Sequence, residues 1–470
     1  MSTVNRQLVW LKTADLRVSD NSALYLAAAA GPLLAAFVIT PEQYSQHDDA
    51  EIKQDFWYRN LINVRDELLK LNIPLKILSC PDFDGVPDEL FKLAVKHNVE
   101  TLHFNKQYEL NERACEQAVR ERFEKNDIAV ESYTDSVMYE PGQLRTQKGD
   151  FYTVFTPFKK LFLREFEHLA WRVWPKPKKQ ESLDIQADDI DPWIDATDVR
   201  SDLWPSGETA AKRRLSSFIK NRVSDYKNTR DFPAVNGTST LSPYLTSGVL
   251  SIRQCFQALG KIENLASNPG ALTWQSELIW REFYKHILIG FPRVSQHLPF
   301  KEKTRGLQWN HNQEHFQAWC EGQTGIPIVD AAMRQLVQTG WMHNRLRMVT
   351  AMFLSKNLFL DWRQGEQFFM QHLIDGDLSA NNGGWQWSAS TGTDAAPYFR
   401  IFNPVSQSER FDPQGKFIRK FVPELKTCDN KNIHNPWNAK VPPKNLDYPR
   451  PIVDLKITRQ LAIDKFKELG

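Results

Sequence analysis

Residues 375–400, DGDLSANNGGWQWSASTGTDAAPYFR, set carboxylates, amides and two indoles around glycines, with few aliphatic side chains to bury them. Asp375 and Asp377 flank Gly376, Asn381 and Asn382 run into Gly383 and Gly384, and Trp385 and Trp387 are spaced so that their rings leave the chain in different directions. A large planar ligand needs this mixture, because flat apolar rings cover its faces while amides, acids and bare backbone satisfy its polar edge. The alternative is a surface loop, in which Asx-Gly runs serve as turns.

Three further segments bear on that choice. In Trp274–His286, WQSELIWREFYKH, apolar and aromatic residues recur at helical spacing, so Glu277, Trp280, Arg281 and Tyr284 share or border one face. A glutamate is thereby placed on the aromatic side, where an unpaired buried carboxyl would hold or donate a proton; a solvated helix with an ordinary Glu–Arg pair is the plainer reading. In Gly340–Met348, GWMHNRLRM, Asn344 and Met348 stand four apart, and Arg345 and Arg347 point to different sides, so one can meet a ligand while the other meets solvent or phosphate. Thr238, Ser239, Thr240, Leu241 and Ser242 form a hydroxyl-rich turn able to cradle a pyrophosphate ahead of a helix, although turns of this composition are common without a ligand.

The elements that position these groups follow from length and periodicity. A chain of 470 residues exceeds one ordinary core, which implies two or more domains. With 41% apolar and 25% charged residues it reads as an ordinary soluble globular protein. A formal charge of +2 is too small to mark a nucleic-acid binder, so any DNA-binding face has to be a local patch. Cysteines at 80, 115, 255, 320 and 428 form no C-x-x-C pair, which supports neither a disulfide framework nor a metal site and fits a reducing cytoplasm. The start, MSTVNRQLVWLK, has no apolar signal core, and the apolar run from Ala27 to Ile39 is broken by Gly31-Pro32, so secretion and membrane spanning are disfavoured.

Strand-forming runs at Leu8–Leu11, Leu33–Thr40, Leu75–Leu78, Thr101–Asn105 and Ala129–Tyr133 alternate with helical patterns at Asp55–Leu71, Pro87–His97 and Leu110–Glu124. That order predicts an α/β domain with a parallel sheet over residues 1–135. No G-x-G-x-x-G follows the first strand and no G-x-x-x-x-G-K-[ST] occurs, which disfavours the usual nucleotide loops. Residues 136–204, rich in Pro, Lys and Asp, read as a linker over the surface, and 205–470 as an all-helical domain ending in a helix at Ile457–Leu469.

The segments TGWMHNRLRM at 339–348, DGDLSANNGGWQW at 375–387, ELIWREFY at 277–284, RDFPAVNGTSTLSPYLTSG at 230–248 and NKQYELNERA at 105–114 together resemble the DNA photolyase/cryptochrome family. They are similar in particular to class I cyclobutane pyrimidine dimer photolyases of the bacterial, folate-containing type. The resemblance covers nearly the whole chain. It implies a Rossmann-like α/β domain followed by a linker and a helical FAD- and DNA-binding domain, in a monomer.

The resemblance also implies roles. FAD would be held bent by Tyr226, Thr238–Ser242, Trp274, Arg281, Asn344, Arg347 and Asp375–Asp377, with the Asn381 side chain at flavin N5, favouring the neutral radical and the reduced anion. Asp375 would pair with Arg347 beside the ring and Asp377 would support the flavin or its ribityl chain. Thr240 stands where relatives often carry Arg, so a phosphate contact is lost there or made by backbone. Trp385, Trp362 and Trp309 would relay electrons from flavin to surface, although core packing is the plain reading of any one of fifteen tryptophans.

For the substrate, a dimer flipped out of the stack, the resemblance implies stacking walls from Trp280 and Trp387, a soft wall from Met348, hydrogen bonds from Asn344 and Glu277, and stabilisation of the dimer radical anion by Glu277. Arg230, Arg345 and Arg400 would grip phosphates without sequence preference. Met342-His343-Asn344 leading to Met348 replaces the adjacent histidines of six-four photolyases and favours the cyclobutane class. Asn111 and Glu112 match contacts to an antenna folate, 5,10-methenyltetrahydrofolate, while Ser295 and Gln296 depart from the Cys and Lys that close relatives carry near it. The implied reaction is light-driven: reduced FAD gives an electron to the flipped dimer, the cyclobutane ring splits, and the electron returns. The rivals are a cryptochrome-like photoreceptor without repair, which Asn381, Glu277 and Met348 disfavour, and a flavin-free single-strand binder working by aromatic stacking.

Overall fold

Five runs of aliphatic and β-branched residues form β1 (Arg6–Leu11), β2 (Leu33–Ile39), β3 (Leu75–Ser79), β4 (Val99–Asn105) and β5 (Ala129–Tyr133). The computed structural model describes residues 5–190, 199–438 and 446–469. The strands pair in parallel in the order β3-β2-β1-β4-β5, with β1 at the centre between β2 and β4. Every residue of β2 is buried, as a parallel sheet covered on both faces requires. The sequence places all five strands within two residues of their ends. It misses the helix Ser22–Ala30, whose LYLAAAA run is apolar all round and so carries no period; Asn21 starts it by accepting a hydrogen bond from the Leu24 amide.

Two compact units are resolved, one over 1–152, 156–224 and 239–290, the other over 153–155, 225–238 and 291–470. The first contains the sheet and also the helices Glu208–Asn221 and Pro269–Gly290, which periodicity alone assigns to the helical part of the chain. The segment read as a linker carries a helix at Phe155–Phe166 that buries Phe158 and Phe162; residues 191–198 of that segment lie outside the described residues.

Four buried charges anchor the first unit. Asp135 accepts from both Arg17 and Arg253, the latter at 2.6 Å, and Arg253 also reaches Asp20 at 3.1 Å. Burial opposes ionisation of Asp135, but the two guanidiniums outweigh it and hold its carboxyl below the usual carboxylate range.

The second unit is helical. Its core gathers Trp319, Met333, Leu346, Trp362, Phe369 and Trp385 between the helices Pro327–Thr339, Asn344–Met352, Trp362–Met370 and Leu378–Ala389. The last helix is Leu455–Lys467, two residues earlier than its apolar pattern suggests. Among the described residues no helix is long and apolar enough to cross a membrane, and no cluster of His, Cys, Asp and Glu could hold a metal ion.

Candidate functional site

In the second unit the stretch at 375–400 is not the loop that its Asn-Asn-Gly-Gly composition permits. Asp377 caps a helix, Leu378–Ala389, by accepting from the Ala380 amide at 3.0 Å and from the Ser379 hydroxyl. Side-chain bonds to neighbouring elements hold this poor helix former in place. Asn381 Nδ2 donates to the Glu366 carbonyl at 2.9 Å. A backbone carbonyl can only accept, so the amide nitrogen has to face it and Oδ1 turns the other way. Asn382 is buried, donating to Glu366 Oε1 at 2.8 Å and to the Val294 carbonyl at 3.2 Å, and accepting from Gln386 at 2.9 Å.

Trp385 is buried against Phe369, with ring centroids 4.9 Å apart, and edge-on to Trp319 at 6.0 Å. Gly365 makes that seat possible: a Cβ there would stand 2.1 Å from the indole Cη2. The Trp385 indole nitrogen is buried and has no acceptor among the described residues. Trp362 lies in the same core and Trp309 packs against it, its ring tilted by 40° to that of Phe359 with centroids 4.9 Å apart. The three tryptophans named from resemblance thus share one aromatic core, to which Trp319 adds a fourth. No local pattern in the sequence singles out Trp319, 66 residues before Trp385.

His343 caps the helix Asn344–Met352, its Nδ1 accepting from the Arg345 amide at 3.2 Å. The ring proton therefore sits on Nε2, which is buried with no partner among the described residues. Burial lowers the His343 pKa to about 4, so the ring stays neutral. Arg347 donates to both oxygens of Asp375, at 3.0 and 2.8 Å, the pairing expected from resemblance, and to the Met342 carbonyl. Arg345 turns to the other side, paired with Asp231 at 2.9 Å and lying over Phe411. Arg230 approaches the same Asp231 at 3.9 Å and lies over the buried Tyr226 ring. Asn344 and Arg400 are exposed, and Met348, Gly383 and Trp387 half-buried, whereas Asp375 and Gly376 are buried.

In the first unit the helix Pro269–Gly290 presents Glu277, Trp280 and Tyr284 as one half-buried stripe, so Glu277 is not sealed in the interior. Trp274 is buried against Phe218. Arg281 is engaged with backbone, donating to the Ser136 carbonyl at 2.8 Å and to Leu245 at 3.4 Å. In the hydroxyl turn Thr240 takes a left-handed conformation, φ 50°, and receives Arg214 Nη1 on its hydroxyl at 2.7 Å. The guanidinium that Thr240 itself lacks is therefore delivered to the turn by the helix Glu208–Asn221. Leu241 is buried beneath, and Ser242 begins the next short helix.

The antenna candidates also lie in the first unit, at the start of the helix Leu110–Glu124. Asn111 bonds His47 Nε2 at 3.0 Å, and Glu112 stands 3.6 Å from His47 Nδ1. Glu112, His47, Tyr44, Trp57 and Lys12 line a cavity of about 50 Å³, room for a few waters. Burial, with Glu109 nearby, pushes the Glu112 carboxyl up to about 8. A carboxyl raised on folding favours the protonated native state, so its contribution is fully present below the unfolded value and is lost as pH rises towards 8. Glu112→Gln is expected to match the parent's melting temperature at pH 4 and to exceed it at pH 8.

A model of the DNA photolyase domain matches residues 7–179, and a model of the FAD binding domain of DNA photolyase matches 274–468. The chain belongs to the DNA photolyase family. Deoxyribodipyrimidine photo-lyases of Vibrio cholerae and Escherichia coli are each 44% identical to it, over 98% of this chain and 99% of the former, and over 96% of both chains for the latter. Among solved structures, a class III photolyase from Agrobacterium tumefaciens is similar with a TM-score of 0.90 and 32% identity, covering 100% of this chain and 98% of the other. A Synechocystis cryptochrome is similar with a TM-score of 0.85 and 28% identity, covering 99% of this chain and 100% of the other. Membership of the photolyase family, with its FAD-binding domain, makes FAD the cofactor. The second unit fits a flavin: Asn381 Oδ1 is turned away from its anchor, and the buried N–H groups of Trp385 and His343 have no acceptor among the described residues.

Proposed function

We propose that this protein is a light-dependent cyclobutane pyrimidine dimer photolyase. The observation that carries the reading is end-to-end identity of 44% with two deoxyribodipyrimidine photo-lyases, against 28% with the cryptochrome. When bound, reduced FAD supplies on absorbing light the electron that opens the cyclobutane ring and takes it back afterwards.

The chain's own residues bind, orient and stabilise. Asn381 presents a carbonyl oxygen, which would accept from a protonated flavin N5. Arg347, whose charge Asp375 balances, would supply a cation to the flavin. Arg214, brought to the hydroxyl turn at Thr240, supplies positive charge for the pyrophosphate. Glu277 and Asn344 offer hydrogen bonds to the pyrimidines, and Trp280, Trp387 and Met348 offer apolar surface. Arg400, exposed, and Arg230 meet phosphates; Arg345 contributes less, since Asp231 already holds it. Trp385, Trp362 and Trp309 serve to re-reduce the cofactor. Asn111 and Glu112 hold a folate antenna by its amide edge, and the protein works as a monomer in the cytosol.

Reduced holoprotein incubated with a thymine-dimer oligonucleotide is expected to restore intact thymines under blue light and not in darkness; intact dimers after illumination would remove the assignment. Glu277→Ala removes a hydrogen bond to a charged species, worth about 1.5–3 kcal/mol, so the rate constant of ring opening is expected to fall roughly 10–100-fold and repair per photon to fall with it. Parent-like repair by that variant would remove the role of Glu277.

A further inference from the structure

Glu366, on the helix Trp362–Met370, is 1% exposed and fixes both asparagines of the flavin segment. Its backbone carbonyl takes Asn381 Nδ2, and its Oε1 takes Asn382 Nδ2. Its other oxygen, Oε2, meets His297 Nδ1 at 2.9 Å. His297 adopts a left-handed conformation, φ 56°, and its side chain is 55% exposed, so one edge of the imidazole is wet while the other bonds a buried acid. Arg363 donates to the His297 carbonyl at 2.7 Å and pairs with Asp361, which balances its charge. On the segment of His297 itself, Arg293 is paired with Glu302. The helix Leu378–Ala389 presents only the neutral amides of Asn381, Asn382 and Gln386 to this cluster. Glu366 is thus a buried carboxylate whose charge is balanced by a group that exchanges protons with water.

We propose that the His297 and Glu366 side chains are a proton-linked charge pair, seated against Asn382 on the helix that carries Asn381, and that the pair sets the reduction potential of the flavin. The inference rests on the FAD reading above. With His297 protonated the pair is neutral; with His297 neutral a buried negative charge remains behind the asparagines and opposes addition of electrons to the ring. The proton comes from solvent at His297 and the electrons from whatever reduces the flavin, so the pair tunes the reaction without being consumed. Neither residue belongs to a local motif, since they lie 69 positions apart.

The two members carry opposite charge, and their removal is expected to act in opposite directions. In a dye-mediated redox titration of holoprotein at pH 6, followed by flavin absorption, His297→Gln should make reduction about tenfold less favourable, near 30 mV for a two-electron couple. Glu366→Gln should make it about tenfold more favourable. Between pH 5.5 and 8.5 the potential of the parent should fall more steeply than that of either variant. Shifts in the same direction, or unchanged potentials and slopes in variants that retain flavin, would overturn the pair. If Glu366→Gln fails to fold, the slope of the exposed-site variant His297→Gln decides alone. A parent chain that takes up no FAD would overturn the cofactor reading and this inference with it.

Discussion

Replacing Asn381 by aspartate is expected to leave the holoprotein resting with oxidised flavin and to cost about 1–3 kcal/mol of stability. The amide does two jobs that no carboxylate can combine. Its nitrogen donates to the Glu366 carbonyl at 2.9 Å, and an ionised aspartate would set an acceptor against that acceptor. Its oxygen faces the other way as a neutral acceptor, where a carboxylate would bring negative charge to a ring that has to become electron-rich. Absorption spectra of the purified variant, with urea unfolding alongside, check both effects. A variant with the spectrum and midpoint of the parent would contradict the assignment of Asn381.

The largest stability effect is expected at Asp135. It receives Arg17 and Arg253 in the interior of the first unit and also accepts from the amide and hydroxyl of Ser22, at 3.1 and 2.8 Å. Asp135→Ala leaves Arg253 with Asp20 and the buried Arg17 with only the backbone carbonyls of Asp20 and Gly248, and breaking a buried pair from one side costs about 3–5 kcal/mol. Because folding lowers the Asp135 pKa, its contribution is present above the unfolded value and is lost as pH falls below about 3.9. Parent and variant should therefore differ by this amount in urea unfolding at pH 7 and converge in strong acid. A difference under 1 kcal/mol at pH 7 would show that the network relaxes around the loss.

The α/β half was legible because a covered parallel sheet demands uninterrupted apolar strands, and β1 and β2 have them. Ser22–Ala30 was not, because a helix apolar on all sides has no face to reveal it. The helix Leu378–Ala389 hides behind Asn-Asn-Gly-Gly, which is among the poorest helix-forming sequences; bonds from Asn381 and Asn382 to Glu366 and Val294 override that preference. The Asp375–Arg347 pair followed from resemblance and is present. Arg214 at Thr240, Trp319 against Trp385, and His297 on Glu366 join residues 26 to 69 positions apart, which no periodicity connects. His343 lay within a quoted motif, yet its capping role depends on a backbone amide and left no trace in residue type.

The most direct test of a flavin-driven lyase is the wavelength dependence of dimer opening by the reduced holoprotein. The number of dimers opened per incident photon should follow the absorption of the bound reduced flavin through the near-ultraviolet and blue, and vanish once the flavin is removed. Opening that persists in the flavin-free chain, or that ignores the flavin absorption band, would contradict the account.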